Sequence, residues 1–177
     1  MEAVPATSTL NTKAGQNRAN GVTVALKGGK LQAVWVGKTG SSADVIFDVT
    51  GYFTAGTGGL RFYPITPIRD LDSTTGKGLS GSFTSGTARV LAVAGVPSTA
   101  AGISGNLTLL KPGSAGYGFI APTITGAPTS STLNSTTGLT VANGFDVALS
   151  SGKLSIVWMG TTGSKANFSL DVTGYWK

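Results

Sequence analysis

Apolar and polar residues alternate along much of this chain, with the period of two that places successive side chains on opposite faces of an extended strand. Leu31, Ala33 and Trp35 fall on one face, against Gln32, Val34 and Val36. Val45, Phe47 and Val49 share a face against Asp44, Ile46, Asp48 and Thr50. Strands are therefore predicted over 22–26, 31–37 and 43–53, the first two joined by the turn Lys27-Gly28-Gly29-Lys30. Further strands are predicted over 88–94, 102–110 and 117–121. In the second of these, Ile103, Gly105, Leu107 and Leu109 oppose Ser104, Asn106 and Thr108. Pro64 and Pro67 make 62–73 an edge or extended segment, because proline donates no ladder hydrogen bond. No window shows convincing apolar spacing at i, i+3, i+4 and i+7, so no helix is predicted.

The pattern occurs twice. Displaced by 123 places, residues 8–53 align with 131–176 without a gap, and 26 of the 46 positions are identical. Both copies open with Ser-Thr-Leu-Asn (8–11, 131–134) and pass through Ala-Asn-Gly, Gly-Lys-Leu and Val-Trp. They close with Asp48-Val49-Thr50-Gly51-Tyr52-Phe53 and Asp171-Val172-Thr173-Gly174-Tyr175-Trp176. Such a self-match sets the building unit. The stretch before the second copy has no earlier counterpart, so one complete unit is expected over 61–177. Residues 1–60 then hold the second half of another unit, ending in the Gly- and Thr-rich linker 54–59. Short strands separated by Gly turns define an all-β fold, an antiparallel sandwich or barrel-like module.

Composition narrows the chemistry. The chain has no His, which removes the usual general base and the commonest zinc ligand, and no Cys, which removes thiolate chemistry and disulfides. Charged residues are 11 % of the 177, and the net charge is +6. The thirteen Lys and Arg stand singly, with no aromatic ladder between them, so a solvated cationic surface is expected and not a specific nucleic-acid site. No segment approaches 18 apolar residues, so no membrane span is predicted. Met1–Pro5 has neither the basic nor the apolar region of a signal peptide, so the expectation is either a trimmed chain or release from the cell by another route.

The succession Thr66-Pro67-x-Arg69, Leu71-Asp72, Val93-Ala94-Gly95-Val96-Pro97, Asn106-Leu107-Thr108, Ser131-Thr132-Leu133-Asn134 and Asp171-Val172-Thr173-Gly174-Tyr175-Trp176 covers nearly the whole chain in order. It resembles the tandem β-modules of exported actinobacterial and Chloroflexi surface proteins, which end in Asp-Val-x-Gly-Tyr-Phe and are sometimes appended to hydrolases of walls or glycans. The resemblance implies a non-catalytic accessory module, and it implies that Asp72 is structural.

Three groups of residues are candidates for a role. Asp70-x-Asp72-x-Thr74-x-Gly76 mimics the start of a calcium loop, but the next carboxylate is Asp146, too far on to close one. The expectation is that Asp72 caps a turn and Asp70 is exposed, with no metal or other cofactor bound. Asp48 and Asp171 recur singly, whereas catalysis by paired carboxylates needs two in one cleft. They are expected to accept turn hydrogen bonds or an ion pair, with Arg69 the partner in the complete unit. Trp35 and Trp158 recur on strands and Trp176 replaces Phe53, so these three are the possible glycan contacts. Alternation nevertheless places Trp35 with Leu31, and Trp158 with Leu154 and Ile156, as core. No Gly-x-Ser-x-Gly or Ser-x-x-Lys motif stands in a strand-to-helix context.

These readings converge on a non-enzymatic structural or adhesive β-protein. It is expected on the outer surface of an assembly, most concretely a capsid-decoration, tail or fibre component of a phage of actinobacteria. Its partners would be proteins of that assembly, engaged through sheet edges, and its location extracellular or at a virion surface. The alternative is a secreted module binding cell-wall glycan or other carbohydrate for a larger exoenzyme.

Overall fold

A computed structural model describes residues 6–177, and its strands all lie beyond residue 61. They are β1 (Phe62–Asp72), β2 (Phe83–Thr84), β3 (Arg89–Ala92), β4 (Gly102–Leu110), β5 (Gly116–Ala121), β6 (Leu133–Ser135), β7 (Val141–Ala148), β8 (Lys153–Met159) and β9 (Lys165–Trp176). The fold is all-β, with two antiparallel sheets packed face to face. One sheet has the order β1-β9-β4-β7, with β2 also on β9, and the other has the order β3-β8-β5-β6. The proline-bearing β1 lies at a sheet edge, as its sequence requires. Among the described residues no helix is long and apolar enough to cross a membrane.

The alternation of side chains builds the core. Ile103, Leu107 and Leu109 of β4 and Phe168, Leu170 and Val172 of β9 point inward from the first sheet. Leu154, Ile156 and Trp158 of β8, with Ile120 and Leu133, meet them from the second. Phe83 closes one end, its ring edge-on to Phe168 at 5.0 Å. Trp158 is fully buried, and its indole N–H donates to Ser164 Oγ at 3.0 Å, so no polar atom of the ring is stranded.

All seven strand pairings join a strand of β1–β5 to a strand of β6–β9: β1, β2 and β4 with β9, β3 and β5 with β8, β4 with β7, and β5 with β6. The two halves of the module therefore alternate across both sheets. Neither half holds a ladder of its own.

That arrangement corrects the strands predicted over 22–26, 31–37 and 43–53. Those residues form no strand; among the described residues before 61 the single pairing is the bridge Lys27–Lys30 across its turn. A strand exists by exchanging backbone hydrogen bonds with a neighbour, and alternation alone supplies none. Residues 6–60 are almost wholly exposed and touch the sandwich at only a few points. At two of these each residue meets its counterpart in the other copy. Gly21 N–H donates to Asn143 Oδ1 at 3.0 Å beside Gly144, and the Phe53 and Trp176 rings lie 5.6 Å apart.

Candidate functional site

The first candidate surface is the outward, polar face of the β1-β9-β4 sheet. Arg69 of β1 stands opposite Asp171 of β9 in register. Arg69 Nε donates to Asp171 Oδ1 at 2.6 Å and Nη2 to Oδ2 at 3.0 Å, a two-pronged pair between planar groups. Arg69 Nη1 also reaches Asp72 Oδ2 at 3.4 Å. The guanidinium pKa is raised above its ordinary value, chiefly by the hydrogen bonds to Asp171. Asp72 begins a turn, where Oδ1 accepts Thr74 Oγ1 at 2.6 Å and Thr74 N–H at 3.0 Å. The Thr74 hydroxyl is the main reason that its carboxyl lies below the usual carboxylate range. A shallow depression of about 480 Å³ lies beside these groups, lined by Thr108, Lys111, Asn167 and Ser169 among others.

Asp70 is not exposed as expected. A register shift between Arg69 and Leu71 makes Asp70 the extra residue of a bulge and turns it inward. Its Oδ2 accepts the Ala94 N–H at 3.0 Å. Asp70 and Asp72 thus serve different partners and do not converge as ligands of one loop. Among the described residues no cluster of three potential metal ligands occurs.

The tryptophans part ways. Trp158 is in the core and offers no platform to a glycan. Trp176 is wedged between Phe53 and Phe62 at tilted angles, with its N–H on Ser104 Oγ at 2.8 Å; Ser104 in turn bonds to Asp146. Trp35, expected in a core, is 43 % exposed.

The second candidate surface is residues 6–60 themselves, and Trp35 belongs to it. Leu31, Trp35, Val45, Phe47 and Val49 are exposed, Val45 by 67 % and Val49 by 71 %. Their aligned positions Leu154, Trp158, Phe168, Leu170 and Val172 are all 0 % exposed. Local bonds nevertheless match from copy to copy. Asn11 donates to Ser8 Oγ at 2.9 Å and Asn134 to Ser131 Oγ at 3.0 Å. Asn20 donates to Thr9 O at 2.7 Å, and Asn143 to Thr132 O at the same distance. Trp35 N–H reaches Ser41 Oγ at 3.2 Å, as Trp158 reaches Ser164. Lys27 and Lys30 bridge one turn, and Ser150 and Lys153 the other. Left-handed Gly15, Gly29 and Gly40 correspond to left-handed Gly138, Gly152 and Gly163. Asp48, however, has no arginine beside it, and its carboxylate is exposed.

Compared with models of protein families, with curated proteins and with solved structures, the chain matches none.

Proposed function

We propose that this is a non-enzymatic structural or adhesive β-protein of an assembly exterior, and that residues 6–60 are its contact surface. The observation that carries the reading is the row of exposed apolar side chains at Leu31, Trp35, Val45, Phe47 and Val49. Burying a side chain of this size is worth on the order of 1.5–3 kcal/mol, so a partner that covers the row gains a large driving force. The complete module supplies a rigid anchor and the segment supplies the attachment. A virion exterior, as a capsid decoration, tail or fibre of a phage of actinobacteria, is the most concrete setting, and rests on the resemblance of the motifs.

Sedimentation of a native lysate tests it. The protein is expected in the particle fraction, with gold-labelled antibody on particle surfaces in electron micrographs. Recovery as a free small protein overturns the assembly reading, and turnover of any wall polymer by the purified chain overturns the non-enzymatic one.

A secreted glycan-binding role is favoured by one observation, the exposed indole of Trp35. Retention on peptidoglycan or insoluble polysaccharide that disappears in Trp35→Ala would select it.

A further inference from the structure

We propose that residues 8–53 are the second half of a β-sandwich, and that they fold by interleaving with a five-strand segment of the β1–β5 kind contributed from outside these 177 residues. This deepens the contact-surface reading by naming the partner, and it rests on that surface being one.

Three observations carry it. The segment is already set in the local form that its counterpart takes inside the sandwich, down to turn bridges, left-handed glycines and the Trp–Ser bond. In the sandwich every ladder of β6–β9 is made with β1–β5, so a second half alone has the turns and lacks the strands, which is the state of residues 8–53. The vacant contacts are specific. Asp171 holds Arg69, while the exposed Asp48 has no guanidinium, so the partner must bring an arginine at the position of Arg69 in β1. Gly174 lies under the ring of Phe62 and near Tyr63 O, while around Gly51 nothing lies within 4 Å of where a methyl would stand. An aromatic residue at the position of Phe62 fits over Gly51.

A second copy does not meet the need. These 177 residues hold one β1–β5 segment, already engaged, and two second halves. Any exchange between copies leaves one second half per chain unpaired.

The test extends the full chain with a further copy of residues 61–130 joined directly ahead of Ser8, which reproduces the junction before Ser131. Hydrogen exchange of the indole N–H groups is followed by NMR. In the parent chain Trp35, which is 43 % exposed, should exchange fast and the buried Trp158 slowly. In the extended chain Trp35 is expected to slow at least about 100-fold. Phe47→Asp, which sets a carboxylate where the other copy has buried Leu170, should restore fast exchange at Trp35 and leave Trp158 slow. Fast exchange at Trp35 in an extended chain whose β4 and β8 amides are protected overturns the proposal. So does protection that survives Phe47→Asp. Protection of Trp35 in the parent chain as its mass doubles with concentration assigns the surface to a second copy, and also overturns it.

Limited proteolysis after Lys38 gives a readout that needs no engineered chain. Cleavage in undisturbed material from the native source should be at least tenfold slower than in the purified chain, and equal rates overturn the proposal. Absence of the protein from particles, with Trp35 protected in the extended chain, would remove the virion setting and leave this inference standing.

Discussion

Arg69 and Asp171 face each other across β1 and β9 through two hydrogen bonds of 2.6 and 3.0 Å, while Asp48, the counterpart of Asp171, faces water. The same carboxylate in the same local sequence has a partner in one copy and none in the other. Both partners of the ion pair remain partly solvated, so Asp171→Asn should cost about 0.2–1 kcal/mol. Asp48→Asn should change stability by less than about 0.5 kcal/mol. Urea unfolding of the two variants makes the comparison, and equal losses would refute it.

Core truncation should separate the copies more widely. Phe168 is fully buried against Phe83, and Phe168→Ala should cost about 3–5 kcal/mol. Val45 occupies the aligned position in water, and Val45→Ala should fall within about 0.5 kcal/mol of the parent. A loss above 1 kcal/mol at Val45 would mean that the isolated chain already buries it.

Asp72 should make the protein acid-sensitive. Its folded pKa lies below the unfolded value, mainly because the Thr74 hydroxyl donates to the carboxylate. The unfolded chain therefore binds more protons there, and the contribution to stability is present above the unfolded value near 3.9 and is lost as pH falls through the folded value. Asp72→Asn should be less stable than the parent at pH 6, and the gap should shrink below about pH 4. Urea midpoints across that range check it; a gap that widens in acid would contradict the assignment.

Gly105 sits at the register shift where β4 crosses from one partner stretch of β9 to the next. A methyl there would collide with the Asp171 carbonyl, a backbone atom that a ladder holds in place. Gly105→Ala should cost about 1–3 kcal/mol, whereas Gly51→Ala, with open space around it, should be near neutral. Thermal unfolding of both variants decides the point.

Much of the sandwich is legible in the chain because its signals are local. The alternation of Ile103, Leu107 and Leu109 against Ser104, Asn106 and Thr108 marks β4 from end to end, and the prolines of β1 mark it as an edge. Arg69 stands out as the partner for Asp171 because it is the one cation of β1 and Asp171 the one carboxylate of β9. Asp70 defeats the same reasoning: a bulge shifts the faces by one residue, and nothing in the neighbouring sequence announces it. Trp35 defeats it too, since alternation says which residues share a face and is silent on what covers that face.

The sequence by itself determined the strand period and the glycine turns, because each depends on residues at most about a dozen places apart. The turn bridge, the Asn–Ser bond and the Trp–Ser bond accordingly form in both copies, with or without a sheet. Only the tertiary structure decided which copy becomes strands. Every ladder of β6–β9 reaches back to β1–β5, and a backbone that finds no such neighbour keeps its hydrogen bonds with water.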